Sequence, residues 1–315
     1  MTQALLITNP VAARTDARAV RVVLDTLRGG GWTVDVLATT RPGDARRFAE
    51  EARGQGFDVV VSYGGDGTAI QVAAGLLGSG IPLGLVPGGT GNLLAGNLRL
   101  PRNPAAAARA LLRGEPRPVD LGVIERADGP HYFAVAAGAG FDAELMARTL
   151  APDKHRWKMG AYVARAIRML PAVASAPHRV TVDGRAHEIS AAMLMVVNCG
   201  EIMPPFFKLH AEVAPDDGWL DVVALRADGP LDGARAFLEL MVAARRSAPD
   251  RGNGDRRTWF ARGKTVRVEV LDGGERPVQL DGEATGETPF EARLLPAALT
   301  VLAAPNVVSQ PRAPA

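Results

Sequence analysis

Strand and helix patterns alternate through the first 120 residues, and this alternation constrains the chain more than any other feature. Ala4–Thr8 is apolar and strand-like, and Asp16–Leu27 places Val20, Val23, Leu24 and Leu27 at helical spacing. Thr33–Leu37, Phe57–Ser62 and Pro82–Val86 read as further strands. Asp44–Arg53, Thr68–Leu77 and Pro104–Arg113 read as the helices that go with them. Such alternation predicts a mainly parallel sheet with helices on both faces.

Past Asp120-Leu121-Gly122 the pattern changes. Tyr132–Ala136, Arg179–Val182, Ala191–Val197, Leu220–Leu225, Thr265–Val270 and Ala298–Ala303 read as strands, interrupted by helical stretches at Lys158–Ala172 and Leu231–Ala244. Many strands with few crossover helices predict an antiparallel, β-rich sandwich. The expected organisation is an α/β domain over 1–122 and a β-rich domain over 123–309, whose last strand returns to the first domain. A disordered tail is expected over 310–315.

Two glycine-rich loops carry the chemistry. Val61-Ser62-Tyr63 runs directly into Gly64-Gly65-Asp66-Gly67-Thr68, and Val86 runs into Pro87-Gly88-Gly89-Thr90-Gly91-Asn92. Glycine lets backbone N–H groups approach phosphate oxygens, and Thr68 is placed to cap a helix whose N-terminus favours an anion. One helix-plus-strand unit separates the loops, so a right-handed crossover puts both at the carboxyl ends of parallel strands, where open α/β sheets bind ligands. Asp66 beside a phosphate loop is repulsive unless a cation intervenes, which points to Mg²⁺ or a catalytic role. Neither a Walker loop nor a Gly-x-Gly-x-x-Gly fingerprint is present. Either loop alone also reads as a tight turn. Together they predict a nucleotide site.

Composition removes other classes. With 36 basic against 34 acidic residues, the chain lacks the cationic excess of a strongly basic nucleic-acid binder. Its single cysteine, Cys199, allows neither an intramolecular disulfide nor a cysteine-based metal site. The segment Met1–Leu6 does not read as a signal peptide, and no run reaches the roughly 18 apolar residues a spanning helix needs. The five histidines show no metal-ligand spacing. A cytoplasmic protein is expected.

In this order the motifs resemble the catalytic domain of diacylglycerol kinases, sphingosine kinases and their bacterial lipid-kinase relatives. Asn9-Pro10 is similar to the family's nucleotide loop, Thr40 to its ATP-contacting threonine, and Asp120-Leu121-Gly122 to its Asp-Leu-Gly. Gly138–Ala143 resembles a Gly-x-Gly-Phe-Asp segment, Pro215–Asp221 a metal-associated turn, and Asp281-Gly282-Glu283 a late acidic motif. The chain departs from the family at Val11-Ala12-Ala13, at Ile70 and Gln71, and at Met203-Pro204-Pro205.

The resemblance implies ATP as co-substrate and Mg²⁺ as cofactor. It implies nucleotide contacts from Asn9, Pro10, Thr40, Gly64, Gly65, Asp66, Gly67, Thr68, Gly88, Gly89, Thr90 and Asn92. Asp66 and Asp120 would hold Mg²⁺ through water, and a second, structural Mg²⁺ would sit on Asp217 and the carbonyls of Ala214 and Trp219. Glu283 is favoured as the acceptor of the lipid hydroxyl proton with Asp281 close behind, the two lying on one face if the segment is a strand. Asp66 completes the catalytic set.

The expected partner is a membrane lipid at the bilayer surface, with no nucleic acid, and the sequence is compatible with a homodimer. Arg156-Trp157-Lys158 opens a basic amphipathic stretch suited to an anionic bilayer, though a helix packed on the second domain explains it equally well. Ile202–Phe207 reads as an entry lip for acyl chains. In this picture the first domain holds ATP, the second holds lipid, and the acids meet between them. Two alternatives stay open: a soluble-substrate kinase related to NAD kinase, and a nucleotide- or lipid-binding regulator without turnover.

Overall fold

The structure, a computed structural model, describes residues 1–140, 174–203, 207–208, 213–243 and 257–303. It divides into two compact units, Met1–Leu121 with Pro296–Ala315, and Gly122–Leu295.

The first unit is built on β1 (Gln3–Thr8), β2 (Thr33–Ala38), β3 (Val59–Gly64) and β4 (Leu83–Pro87), in the parallel order β2-β1-β3-β4. Leu6 lies opposite both Val36 and Val61, so the apolar positions of neighbouring strands stack in register. Helices α1 (Ala17–Gly29) and α5 (Pro104–Leu111) cover one face, where Leu6, Val23, Leu27, Val61 and Leu111 form a core. Leu5, Ile7, Val60 and Leu85 are buried too, so the sheet is covered on both sides. Truncating one such core leucine to alanine costs about 2–5 kcal/mol. Helix α2 (Asp44–Glu51) meets α3 (Asp66–Leu76) so closely that a Cβ on Gly75 would lie 2.6 Å from Ala49. The short α4 (Leu93–Asn97) follows the second glycine loop.

The second unit is a sandwich of antiparallel strands. One layer contains β8 (Ala176–Val182), β9 (Arg185–Ala191), β15 (Thr265–Val270) and the start of β18 (Phe290–Ala303). The other has the order β14-β13-β10-β7-β16-β17, formed by β7 (Ala136–Gly140), β10 (Met193–Val197), β13 (Leu220–Leu225), β14 (Thr258–Gly263), β16 (Pro277–Leu280) and β17 (Glu283–Glu287). Val180, Val266 and Val268 of the first layer and Leu194, Val222 and Val278 of the second share one buried core. Into it β5 (Glu115–Arg126) and β6 (Gly129–Phe133) insert Ile124 and Phe133. Gly122 makes room for Phe133, whose ring would lie 2.0 Å from any Cβ there. Two short strands, β11 (Glu201–Met203) and β12 (Phe207–Lys208), pair with each other, and α6 spans Pro230–Ala243.

The β18 strand serves both units: Phe290–Arg293 pair with β15, and Val301 pairs in parallel with Leu83 of β4.

Three expectations change. Helix α3 begins at Asp66, not Thr68, because β3 extends through Gly64 and Gly65 takes the extended N-cap conformation. The strand expected over Tyr132–Ala136 is two strands, β6 and β7, broken at Ala134 and Val135 because their N–H groups bond to a carboxylate instead of a neighbouring strand. Asp281 and Glu283 do not share a strand face: Asp281 and Gly282 form the turn between β16 and β17, and Glu283 begins β17. The expected helix 158–172, the 310–315 tail and residues 204–206 of the expected lip lie outside the described residues. Among the described residues no helix is long and apolar enough to cross a membrane.

Candidate functional site

Both glycine loops leave the carboxyl ends of adjacent parallel strands, with Gly64 opposite Pro87. They are fastened together by backbone. The N–H groups of Gly88 and Gly89 both donate to the Gly64 carbonyl, at 2.7 and 3.1 Å. A Cβ on Gly89 would lie 2.5 Å from the Gly65 Cα, so this approach admits no side chain.

The Asn9-Pro10 loop joins the same edge. The Asn9 N–H donates to the Tyr63 carbonyl at 3.0 Å, the Arg14 N–H to the Gly88 carbonyl at 2.9 Å, and the Asn9 side-chain amide to Thr68 Oγ1 at 3.1 Å. The Tyr63 hydroxyl donates to the Arg14 carbonyl, and burial pushes its pKa up to about 12. Asn9, Gly64, Gly65, Asp66, Thr68, Gly88 and Gly89 are thus brought together. At the mouth of this loop set, helix geometry leaves the first N–H groups of α3 without intrahelical acceptors. Such a terminus is suited to an anion.

Asn92 braces the loop from inside. Its buried carboxamide accepts from the Gly89 N–H and donates to the Gly89 carbonyl, both at 2.8 Å, while its backbone holds φ at +53°.

Two aspartates of this unit behave in opposite ways. Asp66 accepts the Leu93 N–H at 2.6 Å and is bonded by the Asn92 and Leu94 amides, yet burial outweighs these bonds and raises its pKa. Asp44 accepts the N–H and hydroxyl of Thr40, each at 2.9 Å, and the Arg41 N–H. The Thr40 amide bond is the leading cause that holds Asp44 far below the ordinary carboxylate range. Asp44 thereby fixes Thr40, whose neighbour Thr39 is bonded to Thr8 at the end of β1. Sequence reasoning missed this anchor. The signal was present, since an aspartate at the first position of α2 follows Thr40 by four residues.

Asp120 is buried in β5 and accepts the Ala297 N–H at 2.7 Å. Among the described residues no three His, Cys, Asp or Glu side chains gather into a metal cluster. Single buried carboxylates still fit Mg²⁺ held through water, and Asp66, whose charge its amides only partly compensate, is a group a cation would relieve.

In the second unit the Asp217 turn offers one carboxylate and main-chain carbonyls, oxygen donors that suit a hard cation. Asp217 accepts N–H groups from Trp219 (3.0 Å) and Ala214 (3.4 Å), while the Ala214 carbonyl accepts the Asp217 N–H. The Arg262 guanidinium is committed to Asp221 by two bonds, of 2.8 and 2.6 Å, and reaches Asp217 only at 3.5 Å. Burial pushes Asp217 up to about 6, with Arg262 opposing and Asp221 adding. This turn fits a cation as well.

The late acidic motif belongs to the same unit. Asp281 (φ +49°) and Gly282 (φ +89°) form the two-residue turn of the β16–β17 hairpin, a conformation that Asp-Gly pairs favour. The Asp281 carboxylate accepts the N–H groups of Ala134, Val135 and Ala136 at 2.7, 2.9 and 2.8 Å. Glu283, the next residue after the turn, is exposed.

Comparison with known proteins gives a consistent picture. The family model described as the diacylglycerol kinase catalytic domain matches residues 3–124, and the YegS C-terminal NAD kinase beta sandwich-like domain matches 135–303. The diacylglycerol kinase of Bacillus subtilis is 29% identical, with 92% of this chain and 93% of that protein aligned. A protein of Chromohalobacter salexigens named "Probable lipid kinase YegS-like" is 30% identical over 91% of this chain and 89% of its own length. An uncharacterized Synechocystis protein, sll0036, is 26% identical, and this chain spans 57% of its length. A crystal structure titled as a diacylglycerol kinase from Bacillus anthracis superposes with a TM-score of 0.74 at 24% identity, covering 97% of this chain and 98% of that one.

Proposed function

The chain belongs to the family of diacylglycerol kinases and YegS-like lipid kinases, and on that premise we propose that it transfers the γ-phosphoryl group of ATP to a lipid hydroxyl, with diacylglycerol as the substrate and phosphatidic acid as the product. The observation that carries this reading is the pair of glycine loops bonded to each other at the ends of β3 and β4. A cradle made of backbone holds phosphates without reading a base or an acyl chain.

In this reading Gly64, Gly65, Gly67, Thr68, Gly88, Gly89 and Thr90 surround the phosphates, aided by the N-terminus of α3. Asn9, Pro10 and Asn92 keep the three loops in register, and Thr40 contacts the nucleotide from the position that Asp44 fixes. Asp66 and Asp120 hold Mg²⁺ through water, while Asp217 with the Ala214 and Trp219 carbonyls holds the accessory ion. When bound, the catalytic ion neutralises charge on the phosphate oxygens. The segment Asp281-Gly282-Glu283 supplies the acceptor for the hydroxyl proton. Access to lipid comes through reversible attachment to the bilayer surface.

The test is a phosphoryl-transfer assay with labelled ATP and Mg²⁺ on diacylglycerol, ceramide, a sphingoid base and phosphatidylglycerol in mixed micelles, with NAD as the soluble control. Label on diacylglycerol is the expected result. Label on NAD alone, or on nothing while ATP still binds, overturns it.

A further inference from the structure

The carboxylate of Asp281 is already spoken for. It receives three consecutive N–H groups, from Ala134, Val135 and Ala136, and its own N–H returns a bond to the Ala136 carbonyl at 2.9 Å. The other side of the same three-residue bridge is gripped as well. The Ala134 carbonyl accepts from Asn198 Nδ2 at 2.9 Å and from Cys199 Sγ at 3.1 Å, and the Val135 carbonyl accepts the backbone N–H groups of both residues. Asn198 and Cys199 are buried, and Ala134, Val135 and Ala136 with them. The hairpin that carries Glu283 is therefore pinned to a rigid, buried segment through the side chain of its own turn residue.

Resting on the kinase reading above, we propose that Asp281 is a positioning residue and not the proton acceptor: it clamps the β16–β17 turn onto the Ala134–Ala136 bridge so that Glu283 is presented as the base. Oδ1 takes the Val135 and Ala136 N–H groups and Oδ2 takes that of Ala134, so the bridge fixes the orientation of this carboxylate, and losing it would leave three buried N–H groups without that acceptor. Glu283 is exposed and sits one residue beyond the clamped turn. In the reaction the lipid hydroxyl oxygen bonds to the γ-phosphorus as the bond from that phosphorus to the bridging oxygen of ADP breaks. The hydroxyl proton passes to the Glu283 carboxylate and from there to water.

The experiment compares Asp281→Asn with Glu283→Gln in the lipid assay across pH, alongside thermal unfolding of both. Asp281→Asn turns a carboxamide N–H₂ toward an amide donor. It is expected to lower the unfolding midpoint by roughly 2–8 °C and to reduce kcat while keeping the acid limb of the kcat–pH profile. Glu283→Gln is expected to leave the midpoint unchanged, to lower kcat by about 10²–10⁴-fold and to abolish the acid limb. An acid limb lost in Asp281→Asn and kept in Glu283→Gln overturns the assignment. So does an Asp281→Asn midpoint equal to the wild type, and that result stands whatever the substrate proves to be. If Asp281→Asn does not fold, amide hydrogen exchange of the wild type decides: strong protection at residues 134–136 supports the clamp, and exchange at the rate of an unstructured peptide sinks it. Failure of the wild type to phosphorylate any lipid counts against the kinase reading and leaves the unfolding and exchange results to judge the clamp alone.

Discussion

The two motif-bearing regions use the same interaction for opposite ends. In the first unit, the glycine loops and the N-terminus of α3 gather backbone around a place suited to an outside anion. In the second, the row of amides from Ala134 to Ala136 is filled by the chain's own carboxylate, Asp281. A cradle for a guest would have to hold its shape without it, and the loop-to-loop bonds, the close glycine contact and the Asn92 bonds to Gly89 would serve that need. A cradle filled from within is a fastening. Amide rows thus do not identify binding sites by themselves, and what occupies them decides.

The sharpest way to break this contrast is Gly89→Ala. The added methyl would lie 2.5 Å from the Gly65 Cα and force the two loops apart. The expected cost is about 1–3 kcal/mol of stability, with ATP affinity falling about tenfold or more, measured by denaturant unfolding and calorimetry. Unchanged ATP affinity would mean the loops are turns and no cradle. Next comes Asn92→Ala, which deletes two buried bonds to Gly89 and leaves alanine at φ +53°. A loss of about 1–3 kcal/mol is expected in denaturant unfolding. A loss near zero would show that Asn92 does not brace the loop.

The smallest effect concerns Asp44, which shows that the first unit also contains an internally filled anion site. Its folded pKa is depressed, so its contribution is present above the ordinary 3.8 and is lost as pH falls through the folded value. Replacing it by asparagine should flatten the acid limb of stability, read by chemical unfolding at a series of low pH values. An acid limb identical to the wild type would refute the anchor.

The first unit was legible because parallel strands buried on both faces read as continuous apolar runs, as Val59-Val60-Val61 does. The second was harder. Arg185–Ala191 and Glu283–Glu287 are mostly exposed, so their composition resembles a loop while their backbone pairs in a sheet. The glycine loops could be read because the chemistry lies in contiguous residues. The Asp281 clamp could not, since its partners lie 145 to 147 residues earlier and only the folded sheet brings them together.

The shared strand β18 has a consequence for synthesis of the chain. Val301 pairs with Leu83 of β4, so the first unit lacks that neighbour until synthesis has passed Val301, more than two hundred residues after Leu83. Through that interval β4 is an unprotected sheet margin, the kind of surface on which nascent chains aggregate. A fragment ending at Leu121 would keep that margin permanently, and its solubility should improve when the missing segment is supplied as a separate peptide.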